Sequence, residues 1–321
     1  MRNLCIVLLV AMCMSCNRHA GMHRHSNGRP FSAVVISDDT VAAGIIKGIL
    51  ETSVAGLPQQ EPSFDVTVAR ELNDETSTMR NIVVVKTDST QFASTQIKYE
   101  NHAYAEPQLL ILVTSPSAER LRTDMETDGA RLLELLENAE MNNATEQLRK
   151  DFNKEQTTAI SQMLGVNIQV PKELTHSKRG KDFIWLSNNA ASGMQNICIY
   201  TFKDRIADGE TFIRKRDSIM HANIPGEREG MWMTTARGSE TVFRKAQDKD
   251  TMLIVRGLWE MKGDMMGGPF VAHAINDMTN GRTIVAEAFV YAPESDKRNK
   301  IRQLEAALYT LFINKEKDDG K

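Results

Sequence analysis

The chain has 321 residues, of which 41% are hydrophobic and 25% are charged, as is typical of globular proteins. This composition excludes a collagen-like, low-complexity or wholly disordered protein. The 39 Lys and Arg residues against 42 Asp and Glu residues give a formal net charge of -3. Because affinity for nucleic acid requires clustered positive charge, we expect no nucleic-acid partner. The length fits one domain of about 300 residues or two domains of about half that size.

The N-terminal segment 1–15 has the pattern of a secretory signal peptide. Arg2 precedes an apolar run, Leu4 to Met12, which is too short to cross the hydrocarbon core of a bilayer as a mature helix. A run of this length matches the apolar region of an export signal. We therefore expect the chain to be exported and this segment to be removed.

The residues at the end of this segment resemble the lipobox of bacterial lipoproteins, in which a small residue precedes the Cys that receives diacylglycerol. Cys16 follows the small Ser15 and fits this pattern. Cys13 fits it less well because the bulky Met12 precedes it. Several acyl chains on one Cys hold a protein firmly at a bilayer, whereas a single chain is marginal. We expect a membrane anchor through lipid on Cys16, with a signal peptide cleaved without lipid or a buried apolar N-terminus as the alternatives.

Residues 16–30 predict a flexible tether because they are mostly polar, contain glycine and carry no acid. Lipoproteins displayed on the surface of Bacteroidetes tend to carry acidic residues directly after the lipidated Cys. The lack of acids here favours an outer-membrane protein that faces the periplasm. The histidines of the tether have no Cys or carboxylate beside them to complete a site, so we expect neither a metal nor a cofactor. Beyond the targeting segment, Cys198 is the remaining Cys, which excludes an intramolecular disulfide in the mature protein.

Residues 31–165 predict the first of two α+β halves. Four segments have the apolar or alternating pattern of strands: 31–37, 64–68, 81–85 and 109–113. Residues 38–40 offer an N-cap for a helix after the first strand. A second helix is expected to start at 114–117, and a capping pattern at 143–146 predicts a third helix that ends at Gly165.

Residues 166–314 predict the second half. Its strand patterns are 166–170, 183–187, 197–202, 252–259, 270–275 and 283–291. Helices are expected over 208–220 and 295–311, and the tail 315–321 is expected to be disordered. In both halves an apolar strand leads into a Pro and then an amphipathic helix, which suggests an internal duplication. The predicted fold class is α+β, with two similar halves, each a mostly antiparallel or mixed sheet with amphipathic helices packed on it.

Two stretches, 224–233 and 256–270, have an unusual local composition rich in Gly, Met, Trp and charged residues. The second lacks the glycine spacing of both common phosphate-binding loops, so its glycines are expected to serve turns between two strands. The blocks G-E-R-E-G-x-W and R-G-L-W-E…G-D-x-M-G-G-P-F, with the lipoprotein start and the length, resemble a Bacteroidetes lipoprotein family of unknown function. This resemblance covers most of the mature chain and implies no activity.

We expect the two blocks to lie near each other and to form the functional surface. Arg and Trp are the residue types that most often anchor binding surfaces. The candidate binding residues are Arg228, Trp232, Arg256 and Trp259. The candidates for acid–base catalysis are Glu227, Glu229, Glu260, Asp264 and His273. Alternatively, the arginines pair with acids to lock loops while the tryptophans fill the core.

These observations predict a lipid-anchored protein of the cell envelope that acts as a non-catalytic binding or assembly component, with an envelope protein or a glycan as its partner. The alternative is an envelope hydrolase that uses carboxylates of the segments 226–232 and 256–270. A hydrolase is expected to gather these carboxylates in a cleft, whereas a binding module is expected to show an exposed apolar patch or an open groove. The basic cluster 214–216 is short and is expected to be solvated.

Overall fold

The structure is a computed structural model that describes residues 24–247 and 250–314. The segment 1–15 that is predicted to be a signal peptide, Cys16 and the tail 315–321 lie outside the described residues, so what the sequence indicates for them stays a prediction. Among the described residues, no helix is both long and apolar enough to span a membrane.

The first domain, residues 24–150, contains a five-stranded mixed sheet in the order β3-β2-β4-β7-β5. Its strands are β1 Arg24–His25, β2 Ser32–Ile36, β3 Asp65–Ala69, β4 Asn81–Thr87, β5 Gln96–Asn101, β6 Ala105–Glu106 and β7 Leu109–Ser115. Its α-helices are α1 Thr40–Leu50 and α2 Ala118–Lys150, and one 3-10 turn spans Thr76–Thr78. Strands β3, β2, β4 and β7 run parallel, and β5 adds an antiparallel edge.

Helices α1 and α2 cover one face of this sheet. Val83 and Ile111 point to this face and share a buried core with Leu132 of α2. The adjacent residues Val84 and Leu110 point to the other face, because side chains alternate along a strand. As the sequence predicts, Asp39 caps α1, where its carboxylate accepts hydrogen bonds from the backbone N–H of Val41 at 2.9 Å and of its neighbour at 3.1 Å.

The structure differs from the predicted flexible tether over residues 24–30. Arg24 and His25 form β1, which pairs in parallel with β6. The backbone N–H of Ser26 also donates to the carbonyl oxygen of Glu106 at 3.1 Å. These are main-chain bonds, and the polar side chains of the segment carry no signal for them.

Helix α2 is a single helix of 33 residues, which corrects the predicted break at 143–146. The hydroxyl of Thr145 donates to the carbonyl oxygen of Met141, one turn earlier, so it does not cap a new helix. The break comes later. Asn153 caps the next helix by accepting from the backbone N–H of Gln156 at 3.1 Å, and Gly165 ends that helix with a left-handed φ of 66°, as predicted.

The second domain, residues 152–314, is built on an eight-stranded antiparallel sheet. Its main path is β12-β14-β15-β16-β11-β10-β9, with β13 also paired to β14. Its strands are β8 Val166–Asn167, β9 His176–Gly180, β10 Phe183–Ser187, β11 Met194–Phe202, β12 Trp232–Thr235, β13 Thr241–Gln247, β14 Asp250–Lys262, β15 Gly267–Asp277, β16 Arg282–Tyr291 and β17 Phe312–Ile313. Its helices are α3 Lys154–Leu164, α4 Gly209–Asn223 and α5 Arg298–Leu308. The predicted α+β class is confirmed.

The large sheet carries helices on both faces. On one face Ile160 of α3 and Leu304 of α5 pack in a core with Ile197 and other strand residues. On the opposite face Phe212 of α4 packs in a second core with Phe270. We call these the α5 face and the α4 face of the sheet.

The two domains do not share a topology, so the expected duplication does not extend to strand direction. The first sheet is mostly parallel and the second is antiparallel. The strand–Pro–helix pattern that suggested a repeat is a short-range signal for a helix start. It holds no information about which strand pairs with which.

Helix α5 joins the two domains. Glu61 of the first domain accepts hydrogen bonds from the backbone N–H groups of Lys297 at 2.9 Å and Arg298 at 2.8 Å, so its carboxylate caps the N-terminus of this helix. The guanidinium of Arg298 also pairs with Asp65 at 2.6 Å. These contacts connect α5, which packs on the large sheet, to the first domain.

Candidate functional site

Three neighbouring strands bring the two sequence blocks together. The first block ends in β12, and the second spans β14, a turn and the start of β15. Strand β12 pairs antiparallel with β14, which places Met233 opposite Met261 and Thr235 opposite Trp259. The second block is therefore mostly strand, whereas the sequence suggested a glycine-rich connection.

The glycines of the second block have two different roles. Gly263 adopts a positive φ of 84° in the turn between β14 and β15, as expected for a turn glycine. Gly268 lies within β15, where a Cβ atom would stand 2.0 Å from the carbonyl oxygen of Val290. The same bare backbone lets the indole N–H of Trp259 donate to that carbonyl at 3.2 Å. Gly268 thus allows Trp259 to pack closely and does not serve a turn.

Side chains from both blocks line a pocket of about 300 Å³ on the α4 face, which we call the aromatic pocket. Its aromatic wall consists of Trp185, Trp259, Phe289 and Tyr291. The rings of Trp259 and Phe289 meet edge to face, with centroids 5.5 Å apart. Gly226 and the methionines Met194 and Met266 complete part of the lining. Pockets with apolar and aromatic walls are the common form of ligand site.

The rim of the aromatic pocket is partly exposed. Glu227 and Asp264 both line it and are exposed, and Met265, beside the rim, is 100% exposed. Trp259 is 3% exposed and therefore belongs to the core wall of the pocket. Methionine is a flexible, polarisable side chain that fits irregular apolar partners. The pocket therefore offers a rigid aromatic wall and an adaptable methionine rim.

The predicted functional surface is divided by the alternation of side chains along β14. Trp259 points to the α4 face, whereas Arg256 and Glu260 point to the opposite face. Trp232 pairs with Lys262, whose ammonium lies 4.5 Å from the centre of the indole ring. Lys262 is an odd number of positions from Trp259 on β14, so Trp232 also points away from Trp259. The expectation that both tryptophans and Arg256 share one surface is wrong, because residues an odd number of positions apart on a strand face opposite sides.

The remaining predicted residues are also separated. Arg228 and Glu229 are exposed in the turn that precedes β12. His273 is fully buried on the α5 face, on the side of the sheet opposite the aromatic pocket. Of the five catalytic candidates, the structure brings together Glu227 and Asp264 in one pocket.

Arg256 and His273 meet through a residue that the sequence analysis did not single out. The guanidinium of Arg256 forms two bonds to the carboxylate of Glu305, at 2.8 and 2.5 Å. The Nε2 atom of His273 lies 3.5 Å from the same carboxylate, and its ring packs edge-on against Tyr309 at 4.6 Å. We call these four residues the junction cluster, because Glu305 belongs to α5.

Charge and burial shape the titration of the junction cluster. Burial acts to raise the pKa of Glu305, but the charge of Arg256 and the nearby His273 ring outweigh it and lower this pKa to about 2. Burial lowers the pKa of His273 because a charged imidazole is poorly solvated there. Arg256 pairing with an acid agrees with the alternative that the arginines lock the structure.

A second buried cluster lies on the α4 face. Arg216 contacts Glu287 at 2.7 Å and Thr235 at 2.9 Å, and the hydroxyl of Tyr200 donates to Glu287 at 3.0 Å. We call these residues the sealed cluster, since Arg216 and Glu287 are both 0% exposed. Cys198 is buried beside them, and burial raises the pKa of its thiol, as expected for a core Cys.

The buried position of Arg216 corrects the expectation that the basic cluster 214–216 is solvated. Phe212, Arg216 and Met220 follow one another at intervals of four residues, so all three point inward from α4. This spacing was the signal in the sequence that places the arginine on the apolar side of the helix.

Two family models match the chain, one for each domain. Residues 153–310 match the model described as a domain of unknown function, DUF4837, and residues 26–149 match the model of another domain of unknown function, DUF8532. No curated protein matches the chain. The matches meet between α2 and α3, where the structure passes from one sheet to the other, and they agree with the expected resemblance to a family of unknown function. Each of the two large sheets thus lies in a part of the chain that resembles a domain of unknown function.

Proposed function

We propose that this protein is a lipid-anchored binding or assembly component of the cell envelope, held at the outer membrane through Cys16 and facing the periplasm. The apolar run at 4–12 and the Ser15–Cys16 pair support the anchor. The acid-free segment after Cys16 supports the periplasmic side. The partner is an envelope protein that presents an apolar group to the aromatic pocket.

The aromatic pocket is the observation that carries the binding role. Its wall is formed by four aromatic side chains, and Met266 and Met265 extend the apolar surface toward solvent. Exposed apolar surface next to a preformed pocket is typical of protein interaction sites. An aromatic wall of limited side-chain freedom also keeps the entropy cost of binding low.

The anchor is tested by cell fractionation. The Cys16→Ala variant is expected to leave the membrane fraction, because it has no thiol at position 16 to receive the lipid. The Cys13→Ala variant is the matched control and is expected to stay membrane-bound. A Cys16→Ala protein that is processed and membrane-bound as before contradicts the anchor.

The binding role is tested by photo-crosslinking in intact cells. A photoreactive amino acid at position 266, on the pocket rim, is expected to yield a discrete adduct with an envelope protein. The same group at position 278, where Met278 is 66% exposed on a distant turn, is the control and is expected to yield none. The adduct is expected to disappear in a Met194→Glu background, because a carboxylate in an apolar wall opposes binding of an apolar group. Equal adducts at both positions contradict the proposal.

One observation favours the hydrolase alternative, namely that Glu227 and Asp264 line the same pocket. Two carboxylates that act as acid and base need different environments, and both of these are exposed at the rim. The Glu227→Gln, Asp264→Asn double variant separates the two functions. A binding component keeps its crosslink in this variant, whereas a hydrolase loses turnover of envelope material while the wild type retains it.

A further inference from the structure

The first domain contains a large crevice that no part of the aromatic pocket reaches. Its volume is about 620 Å³, which lies within the range of small-molecule sites. It lies over the sheet face opposite α1 and α2, where Val84, Leu110 and Leu112 are half-buried. Among the described residues no α-helix packs on this face, although strands of parallel sheets usually have helices on both sides.

The topology of the sheet explains where the crevice forms. The chain leaves β2 toward β3 on one side and returns past β2 to place β4 on the other side, so the strand order reverses between β2 and β4. In open sheets with parallel strands, ligands bind outside the carboxyl ends of the strands at such a reversal. The crevice is lined by Ser37 and Asp38 after β2, Arg70 after β3 and Asp88 after β4, which places it at this point.

The chemistry of the rim argues against a phosphate ligand. In related topologies phosphate binds the free N–H groups of the helix that follows the first strand. Here the carboxylate of Asp39 accepts two of those N–H groups, and Asp38 and Glu71 add further negative charge nearby. A phosphate would therefore meet a helix terminus that is already capped and more carboxylates than cations, since Asp38, Glu71 and Asp88 outnumber Arg70 and Lys86 in the lining.

The same rim offers both donors and acceptors beside aromatic rings. Arg70 and Lys86 supply donors, and neither forms an ion pair within the described residues. Asp38 supplies an acceptor and is exposed, while Phe92 and Tyr104 flank the apolar floor. A ligand that complements this set carries hydroxyl groups, which both donate and accept, and one apolar face that packs on rings.

We infer that this crevice is a binding site for a neutral sugar. The hydroxyl groups of the sugar bond to Asp38, Arg70 and Lys86, and the C–H face of its ring packs against the aromatic side chains and the apolar strand floor. The site lies in the first domain, so it is independent of the apolar partner proposed for the aromatic pocket.

Saturation-transfer NMR on the full chain tests this inference with four probes, namely maltose, cellobiose, lactose and N,N′-diacetylchitobiose at millimolar concentration. At least one is expected to bind through its ring protons. Asp38→Ala is expected to weaken that binding about tenfold, the loss typical of one hydrogen bond to a charged group. Asp74→Ala, which removes a carboxylate outside the crevice, is the control and is expected to leave affinity unchanged.

Three results overturn the inference. They are binding of none of the four disaccharides, equal binding in Asp38→Ala and Asp74→Ala, and displacement of the bound sugar by inorganic phosphate at equal concentration. Because Asp38 is exposed, a thermal melt is expected to show both variants folded, and Lys86→Ala provides a second exposed rim variant with the same expected loss. Met194→Glu in the aromatic pocket is expected to leave sugar binding intact, which keeps the two proposals distinguishable.

Discussion

The two buried Arg–Glu clusters lie on opposite faces of one sheet. Both contain an Arg–Glu ion pair, but the helix and the strand exchange which of the two residues they supply. In the sealed cluster a helix supplies Arg216 and a strand supplies Glu287, whereas in the junction cluster a strand supplies Arg256 and a helix supplies Glu305. The sealed pair is 0% exposed on both sides, but the side chain of Arg256 is 25% exposed. Identical ion pairs therefore have different access to water.

The two pairs also differ in how their carboxyl groups titrate and in which elements they join, although both carboxyl groups are 0% exposed. Complete burial raises the pKa of the Glu287 carboxyl against the opposing attraction of Arg216, while the pKa of Glu305 falls to about 2. A sealed pair holds two elements of one domain together, α4 and β16. The junction pair instead binds the large sheet to α5, the helix that Glu61 of the first domain caps. Position within the fold thus decides whether such a pair stabilises a core or couples domains.

The largest expected effect comes from removing the acid of the sealed cluster. Glu287→Ala leaves Arg216 buried without a counter-charge, and such a loss destabilises a protein by about 3 to 5 kcal/mol. Urea unfolding at neutral pH measures the change. Glu210→Ala, which removes an exposed partner of Arg214, is the control and is expected to cost about 0.5 kcal/mol or less. A similar small loss for both variants would show that water reaches Arg216.

Acid is expected to weaken the junction cluster. The folded-state pKa of Glu305 is depressed from 4.5 to about 2, so its stabilisation is present above pH 4.5 and is lost as pH falls toward 2. The full loss is about 3 kcal/mol, since one pKa unit corresponds to about 1.4 kcal/mol. The free energy of unfolding, measured from pH 6 to pH 2, is expected to fall by this amount in the wild-type protein. The decline is expected to be absent in Glu305→Gln. An unchanged acid slope in that variant would contradict the assigned pKa.

Replacing each arginine by lysine tests the difference in solvent access between the two pairs, with smaller expected losses of stability. Lysine lacks the planar fork of donors, so Arg256→Lys loses one of two bonds to Glu305, a cost of about 1.5 kcal/mol. Arg216→Lys also loses its bond to Thr235 in a site closed to water, and we expect a larger cost. Free energies of unfolding of the two variants at pH 7 show which loss is larger. A larger loss in Arg256→Lys would contradict the difference in solvent access.

The smallest expected effect concerns His273. Its folded-state pKa is lowered from 6.5 by burial, so the unfolded chain binds a proton that the folded protein does not. Stability is therefore expected to fall as pH decreases below 6.5, in a window above that of Glu305. His273→Phe removes the slope that begins below pH 6.5 while leaving the decline of Glu305 below pH 4.5. Thermal melts of the wild type and of His273→Phe in this range check the change. An identical slope in the two proteins would mean that a group other than His273 takes up the proton.

The local signals of the sequence were sufficient for much of the fold. The α+β class, the cap at Asp39 and the helix end at Gly165 follow from residues within one turn of each feature. The proximity of the two blocks also follows in part, because strands consecutive in sequence tend to be neighbours in a sheet. The capping pattern at 143–146 misled because the same residues are tolerated inside a long helix.

From the sequence alone we obtained the fold class, many of the strand and helix segments and the concentration of Arg, Trp and Met in two blocks, while the targeting segment stays a prediction. Tertiary structure decided strand direction, the separation of Trp259 from Arg256 by a sheet, and the partners Glu305 and Glu287, which lie 49 and 71 residues from their arginines. Local preference depends on neighbouring residues, which a sequence displays directly. Ion pairs and pockets depend on which distant elements pack together. That packing is set by the burial of apolar side chains in the whole core, which no local segment shows.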